Sequence, residues 1–599
     1  MIPVAMPTND FDSLDVLARP VAHLPFVRRV IDDLAIVDVI EDHCPEHALN
    51  RVSDAECVVA LVLNVLCGRP ALYRMDEWLG KLDVAVLFGE GADASAFNDT
   101  RLGLALDHVD AAGTDTVLSE LARRYLEQDT DAFTLHHDTT SVSLYGAYEQ
   151  APGEGVPVPA KGKSKDRKPD LEQLIYGLSL HGSQAIPLVA TVMDGNTSDT
   201  AAARDHLRRV VELLPDEREV TFVGDSKTVD KQTIGRLLRE GLHVISLVPK
   251  TFKVRQGVID AAFDRVADTA EWPLLAETKP RRKADPAKQY RGMSFERPLK
   301  VLLETADGEH GVASREPMRF LVVASDSLRE QFDNKLHKTL EREATAVDKK
   351  LKPLNAKGFS CEEDARKAAA TLPGLAPLHQ VTATLTSEPE RVKRAKAGRP
   401  RKDEVVETRT VWRLEVTLEV DDERVEAARR RAGCFVLVSD WTEELWSDEE
   451  LLAEYRQQHL IEGHTGFRWL KGPAAVAPVF LKTPHRIRAM GLVLILALMV
   501  RNSIQATMRR QLAERNETLP HPFTKKPESK LTTEMAFEHF GGLLTQVVTL
   551  GEHTRRMPVR LSDPARHLLD LFGMDESIFS PRLRVDGKWE NAPPETPGM

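Results

Sequence analysis

The sequence predicts an α/β protein built on a mixed sheet, and three observations carry that expectation. Between residues 133 and 250 the hydrophobic pattern reads β-β-β-α-β-α-β. Before it, residues 12–128 follow helical periodicity. After it, a β-rich and charged-helical stretch interrupts the alternation, which resumes near residue 433. The expected layout is an all-helical N-terminal domain (1–130) and a core in two halves (131–252 and 433–545). An insertion domain (253–432) separates the halves, and a C-terminal tail (546–599) follows.

Each element has a local reason. Asp12, Ser53 and Asp115 are candidate N-caps ahead of apolar-periodic runs. SDAECVVALVLNVLCG predicts a buried helix ending at Gly68. FTLHHDTTSVSL alternates apolar and polar with β-branched residues, the pattern of a strand. QLIYGLSLHG and AIPLVATVMDG follow across the turn signal HGSQ, giving an antiparallel meander. Then come a helix in TAAARDHLRRVVELLP closed by Pro215, a strand in EVTFVGDS, a helix in QTIGRLLREG and a strand in HVISLVPK. In the insertion, PLKVLLET, MRFLVVAS and VWRLEVTLEV read as strands around a charged helical stretch at about 327–372. ETKPRRKADPAKQYRG and RVKRAKAGRPRKD read as exposed basic loops. GCFVLVSD is a strand. Ser447 and Glu450 form a capping box that opens one helix through SDEELLAEYRQQHLIEGHTGFRWLK, which Gly463 and Gly466 could break. A second long helix spans about 485–512.

Composition excludes several classes. With 42% hydrophobic and 29% charged residues among 599, the chain is neither disordered nor collagen-like. Its five cysteines are scattered without a CxxC pair, against a disulfide framework or a zinc ribbon. The apolar runs 489–500 and 57–67 fall short of the ~20 residues of a membrane span. MIPVAMPTNDFDSL lacks the basic and apolar regions of a signal peptide, so a cytoplasmic protein is expected. The net charge of −12 is uneven: residues 467–530 hold 12 Lys or Arg and three Glu, or 12 − 3 = +9. That asymmetry suits a DNA-binding face, although a solvated helix surface has the same composition.

Three acidic residues stand out. Asp138 lies inside a strand, where propensity disfavours it, and Asp225 ends another. Glu462 lies on the capped helix. If the two strands are neighbours, the aspartates stand side by side and Glu462 closes the site. Three carboxylates without a His/Cys set suit hard cations such as Mg²⁺ or Mn²⁺. Two such ions can drive an in-line phosphoryl displacement. Taken singly, each acid is more often a cap or turn residue.

The segments HHDTTSVSLYG, DGNTSDT, FVGDSKTVD and YRQQHLIEGHTGFRWLKGP resemble those of the DDE transposases of bacterial insertion sequences. The closer resemblance is to the cut-and-paste branch with a Tyr-Arg-Glu-Lys signature. It covers about 131–252 and 433–512, and the last motif is the most specific. The resemblance implies an RNase H-like core with a β-rich insertion before the Glu-bearing helix. It implies that Asp138, Asp225 and Glu462 are the catalytic and metal-binding triad, holding two Mg²⁺ ions for which Mn²⁺ may substitute. It implies binding of terminal inverted repeats and target DNA by a homodimer or higher multimer, with no membrane partner. DNA cleavage and strand transfer would follow. Tyr455 matches the signature Tyr, which with neighbouring basic residues holds DNA-end phosphates. The sequence departs from the signature twice. Gln458 stands where the family has Arg, leaving Arg456 as the nearest substitute. Trp469 stands where it has Lys, flanked by Arg468 and Lys471.

Other readings stay open. His136 shares a strand face with Asp138 and is either a ligand or, more commonly, a packed histidine. Thr139 and Thr140 could support neighbouring carboxylates or simply suit a strand. AGRPRKD resembles a minor-groove arm and equally a solvated linker. Trp441, Trp446 and Trp469 could stack on a flipped base, or pack in a core. The alternatives to a transposase are a catalytically inactive or domesticated DNA-binding relative, and a metal-dependent DNA nuclease without strand transfer.

Overall fold

The computed structural model describes residues 14–591 apart from 46–49, 69–70, 129–131, 145–156, 164, 166–167, 183, 215–217, 279–286, 304–311, 393–407, 464, 472–482, 551–552 and 586–587. Asp12, Pro215, the AGRPRKD segment and the PPETPGM end therefore lie outside the described residues. The chain divides into two compact units. One comprises residues 1–246, 300–314 and 454–599, the other 247–299 and 315–453.

The first unit is mixed α/β. Its sheet contains β1 (Phe133–Ser143), β2 (Gln173–His181), β3 (Ile186–Met193), β4 (Val220–Gly224) and β5 (His243–Leu247), in the order β3-β2-β1-β4-β5. β1, β2 and β3 form the expected antiparallel meander. β1–β4 and β4–β5 are parallel. The parallel steps are made by α1 (Asp199–Leu213) and α2 (Lys231–Arg239). Every residue of β4 is buried, as expected of a strand covered on both faces. Ser198 caps α1 through Ala201 N–H, and Asp230 caps α2 through the N–H groups of Gln232 and Thr233.

Helices precede the sheet, among them Leu24–Asp33, Asp54–Leu63, Asp99–Ala112 and Thr114–Gln128. Ser53 accepts from Glu56 N–H as expected of its cap. Two expectations are corrected here. Residues 14–20 form a strand, not a helix, paired antiparallel with Leu544–Leu550. That partner is too distant in sequence for any local pattern to show. Asp115 lies in the first turn of its helix, which starts at Thr114, rather than at the cap. An acid is stabilising there too, beside the positive end of the helix dipole.

Four helices follow in the chain, α3 (Asp448–Arg456), whose last three residues belong to the first unit, and then α4 (His459–Glu462), α5 (Phe467–Leu470) and α6 (Pro484–Glu514), of which α6 is the longest. α6 is longer than its apolar run and has the length and composition of a membrane span, yet 89% of its most apolar window is buried inside the protein. Its flanking arginines are tied to acids: Arg486 to Asp107 (2.7 Å), Arg488 to Asp110 (2.6 Å) and Arg501 to Glu534 (2.7 Å). Each of these three cations is paired with an acid of another helix.

The second unit contains a four-stranded arrangement in the order Cys434–Ser439, Val312–Ser325, Lys288–Leu303, Leu274–Thr278. It also has a long hairpin, His379–Arg391 with Thr408–Val420, and the 32-residue helix Asp326–Lys357. Ser447 and Glu450 form the reciprocal capping box: Ser447 Oγ accepts from Glu450 N–H, and Glu450 Oε2 accepts from Ser447 N–H.

Candidate active site

The parallel ladder between β1 and β4 ends at His137 opposite Gly224. The next residues are Asp138 and Asp225, at the same level of adjacent strands: Asp225 follows the end of β4, while Asp138 stays within β1, which continues to Ser143 paired with β2. The carboxyl end of a parallel strand is where ligands bind in such sheets. Gly224 is required there: a Cβ would lie 2.8 Å from Thr228 Oγ1 and 3.0 Å from Val229 Cγ2, where the chain folds back. Asp225 organises that turn itself, its Oδ1 accepting from Lys227 N–H (2.8 Å) and Thr228 N–H (2.9 Å).

The third acid arrives differently from expectation. The single helix expected through 447–471 is three short helices. α3 stops at Arg456, and Gln457, Gln458 and Leu460 make i→i−3 backbone bonds of 2.8–3.1 Å. α4 then stops at Glu462, and the chain doubles back so tightly that a Cβ on Gly466 would lie 2.1 Å from Ile461 O. Tyr455 and Glu462 are therefore not two turns apart on one helical face. The break nevertheless brings both to the aspartates.

These groups act on one another through their charges. Burial pushes the Asp138 carboxyl up to about 7; Lys165 opposes this, Asp225 adds to it, the Thr139 N–H opposes it and Glu462 adds to it. The Tyr455 phenol is pushed well above its ordinary value, by burial first and then by Asp225, Glu462 and Asp138. The phenol thus lies within electrostatic range of all three carboxylates. Glu462 is exposed, whereas Asp138, Asp225 and Tyr455 are half-buried.

Three carboxylates are a hard-oxygen donor set, and their mutual repulsion is what a divalent cation would relieve. Their chemistry fits Mg²⁺ or Mn²⁺. Among the described residues, no three His, Cys, Asp or Glu side chains converge closely enough to enclose an ion. The carboxylates are thus coupled but open.

The remaining expected residues divide. Arg456 ends α3 and is half-buried; Arg468 is exposed on α5, and Lys471, just after it, is half-buried. The cation that acts on Asp138 is none of these but Lys165. Its Nζ donates to Thr139 O and to Thr139 Oγ1, the latter at 2.9 Å. His136 is packed: it is fully buried, with Nδ1 3.1 Å from Gln458 Oε1 and Nε2 2.8 Å from Glu454 Oε1. The Trp469 ring lies under the Arg501 guanidinium at 5.6 Å, and Trp441 stacks on Trp446 at 5.6 Å.

Sequence reasoning missed Lys165 and Glu454. Lys165 sits in a basic run, and Glu454 falls one turn before Gln458, so only the folded chain reveals their targets. Gln458 was noticed solely as a departure. In the structure it is buried, and its Nε2 donates to His137 O at 2.7 Å.

Compared with known proteins, residues 17–123 match a family described as a domain of unknown function, DUF4277. That segment covers the N-terminal helices and not the acidic site. No curated protein matches the chain.

Proposed function

We propose that the chain is a DDE-type transposase of a bacterial insertion sequence with an RNase H-like core. It would bind the terminal inverted repeats of its element as a homodimer or higher multimer, acting where the DNA lies, in the cytoplasm. It would cleave the ends and transfer the freed strand to target DNA. The observation that carries this reading is the electrostatic interaction among Asp138, Asp225, Glu462 and Tyr455, with the two aspartates at one level of the adjacent parallel strands β1 and β4.

Asp138, Asp225 and Glu462 would hold two Mg²⁺ ions, with Mn²⁺ able to substitute. When bound, such ions lower the proton affinity of an attacking hydroxyl and offset the charge that builds on phosphorus. The chain's own residues do the rest. The Tyr455 phenol stays protonated beside three acids and can donate to a phosphate oxygen. Arg456, Arg468 and Lys471 would pair with backbone phosphates of the DNA end.

The open spacing of the carboxylates and the buried amide at Gln458 favour a second reading, a catalytically inactive or domesticated DNA-binding relative. A metal-dependent nuclease without strand transfer is the third. A donor plasmid carrying the element's ends separates them. Excision with joining to a target supports the transposase. Cutting without joining moves the assignment to a nuclease, and binding alone moves it to the inactive relative.

A further inference from the structure

A non-helical strap, residues 157–163 and 165, runs beside the strand that carries Asp138 and is pinned to the sheet repeatedly. Val158 N–H donates to Asp194 Oδ1 at 2.7 Å, and Val158 O accepts from Gly195 N–H at 3.0 Å. Ala160 and Gln173 exchange backbone bonds of 3.0 and 3.2 Å. Lys165 N–H donates to Ser141 Oγ at 2.9 Å. The approach is close enough to demand glycine on both sides: a Cβ on Gly162 would lie 2.3 Å from Gly195 O, and one on Gly195 would lie 1.9 Å from Gln173 O.

A segment fixed this firmly could have a neutral surface. Instead Lys161, Lys163, Lys165 and Lys168 are all exposed, and Lys165 reaches the residue next to Asp138. Flexible charged loops are usually solvated and unfixed. Here backbone bonds and two glycines hold a row of cations beside a cluster of acids. An anionic polymer passing the carboxylates would be held by this row and kept from being repelled by them.

We propose that this strap, together with Lys168, is a phosphate-binding rail for duplex DNA, with Lys161, Lys163, Lys165 and Lys168 pairing with backbone phosphates next to the acidic site. The inference rests on the proposed function and adds to it where the DNA runs. Contacts of this kind position the duplex without reading its sequence.

The test compares the full chain with the triple variant Lys161→Ala/Lys163→Ala/Lys168→Ala, binding a fluorescein-labelled random-sequence DNA duplex over a range of salt. Each lost phosphate contact lowers the slope of log affinity against log salt by about 0.9, so a fall of about 2 to 3 is expected. The matching Lys→Arg triple variant should restore it. Duplex should also shield the four lysines from acetylation, read by mass spectrometry. An unchanged slope together with unshielded lysines overturns the rail while leaving the proposed function standing. Loss confined to a duplex RNA probe overturns the choice of DNA. Failure of the unaltered chain to bind duplex at any salt overturns the rail and the proposed function together.

Discussion

Gln458 fixes the strand of Asp138 through His136: its Oε1 accepts from His136 Nδ1 at 3.1 Å while its Nε2 donates to His137 O at 2.7 Å. The amide's orientation is set by that second bond. Each ring nitrogen of His136 then faces an acceptor, Gln458 Oε1 on one side and Glu454 Oε1 on the other. The two residues before Asp138 are thereby locked from the break between α3 and α4.

Gln458→Ala should therefore loosen the strand at its functional end. It strands a buried carbonyl and a ring N–H, at a cost of about 1–3 kcal/mol in denaturant unfolding. DNA cleavage should fall while DNA binding stays within a few-fold. Gln458→Arg should destabilise more than Ala because it places a cation in this buried site, against His136. A stable, more active Gln458→Arg protein would contradict this placement.

Glu454 is held below the usual carboxylate range: burial pushes it up, but hydrogen bonds from His136 and Thr134 outweigh that. Glu454→Ala leaves a buried His136 ring nitrogen without its partner, and should cost about 1–3 kcal/mol by urea unfolding at neutral pH. The double variant Glu454→Ala/His136→Phe should recover part of the loss.

Asp138 sets a pH dependence. Its carboxyl titrates near 7 in the folded chain, above its ordinary 3.8. Between those values the native state binds more protons than the unfolded state. Its contribution to stability therefore falls as pH rises through that window and levels off above about 7. Metal binding needs the carboxylate, so Mn²⁺ affinity should rise with pH up to about 7 and flatten beyond it. Calorimetric titration over that range would show it. An Asp138→Asn protein with the same pH profile would assign the titration elsewhere.

Arg468 is exposed on α5. Arg468→Ala should leave unfolding within about 0.5 kcal/mol of the parent and weaken duplex binding in a salt-dependent way. Equal affinity at low salt would remove it from the DNA contacts.

The legible parts of the sequence were those with local causes. Alternation in FTLHHDTTSVSL and the run in EVTFVGDS placed β1 and β4, and their adjacency placed Asp138 beside Asp225. The Ser447–Glu450 box and the Ser53 cap are short-range hydrogen bonds that a pattern can display. Other features depended on distant partners. Residues 14–20 become a strand only because Leu544–Leu550 lies alongside. The helix through Glu462 breaks where Gln458 turns its amide to β1, a contact across 321 residues. The arginines of α6 pair with Asp107, Asp110 and Glu534, partners that no local pattern displays. Of the DGNTSDT segment, Asp194 pins the strap and Ser198 caps α1.

The most direct test of the central claim, that three carboxylates act as one catalytic group, is strand-resolved cleavage of a labelled duplex carrying the element's end with Mg²⁺ or Mn²⁺. The unaltered chain would be compared with Asp138→Asn, Asp225→Asn and Glu462→Gln. The account predicts a cut at the element boundary that each substitution abolishes while duplex binding persists. Metal-dependent cutting that survives any one of the three would contradict it.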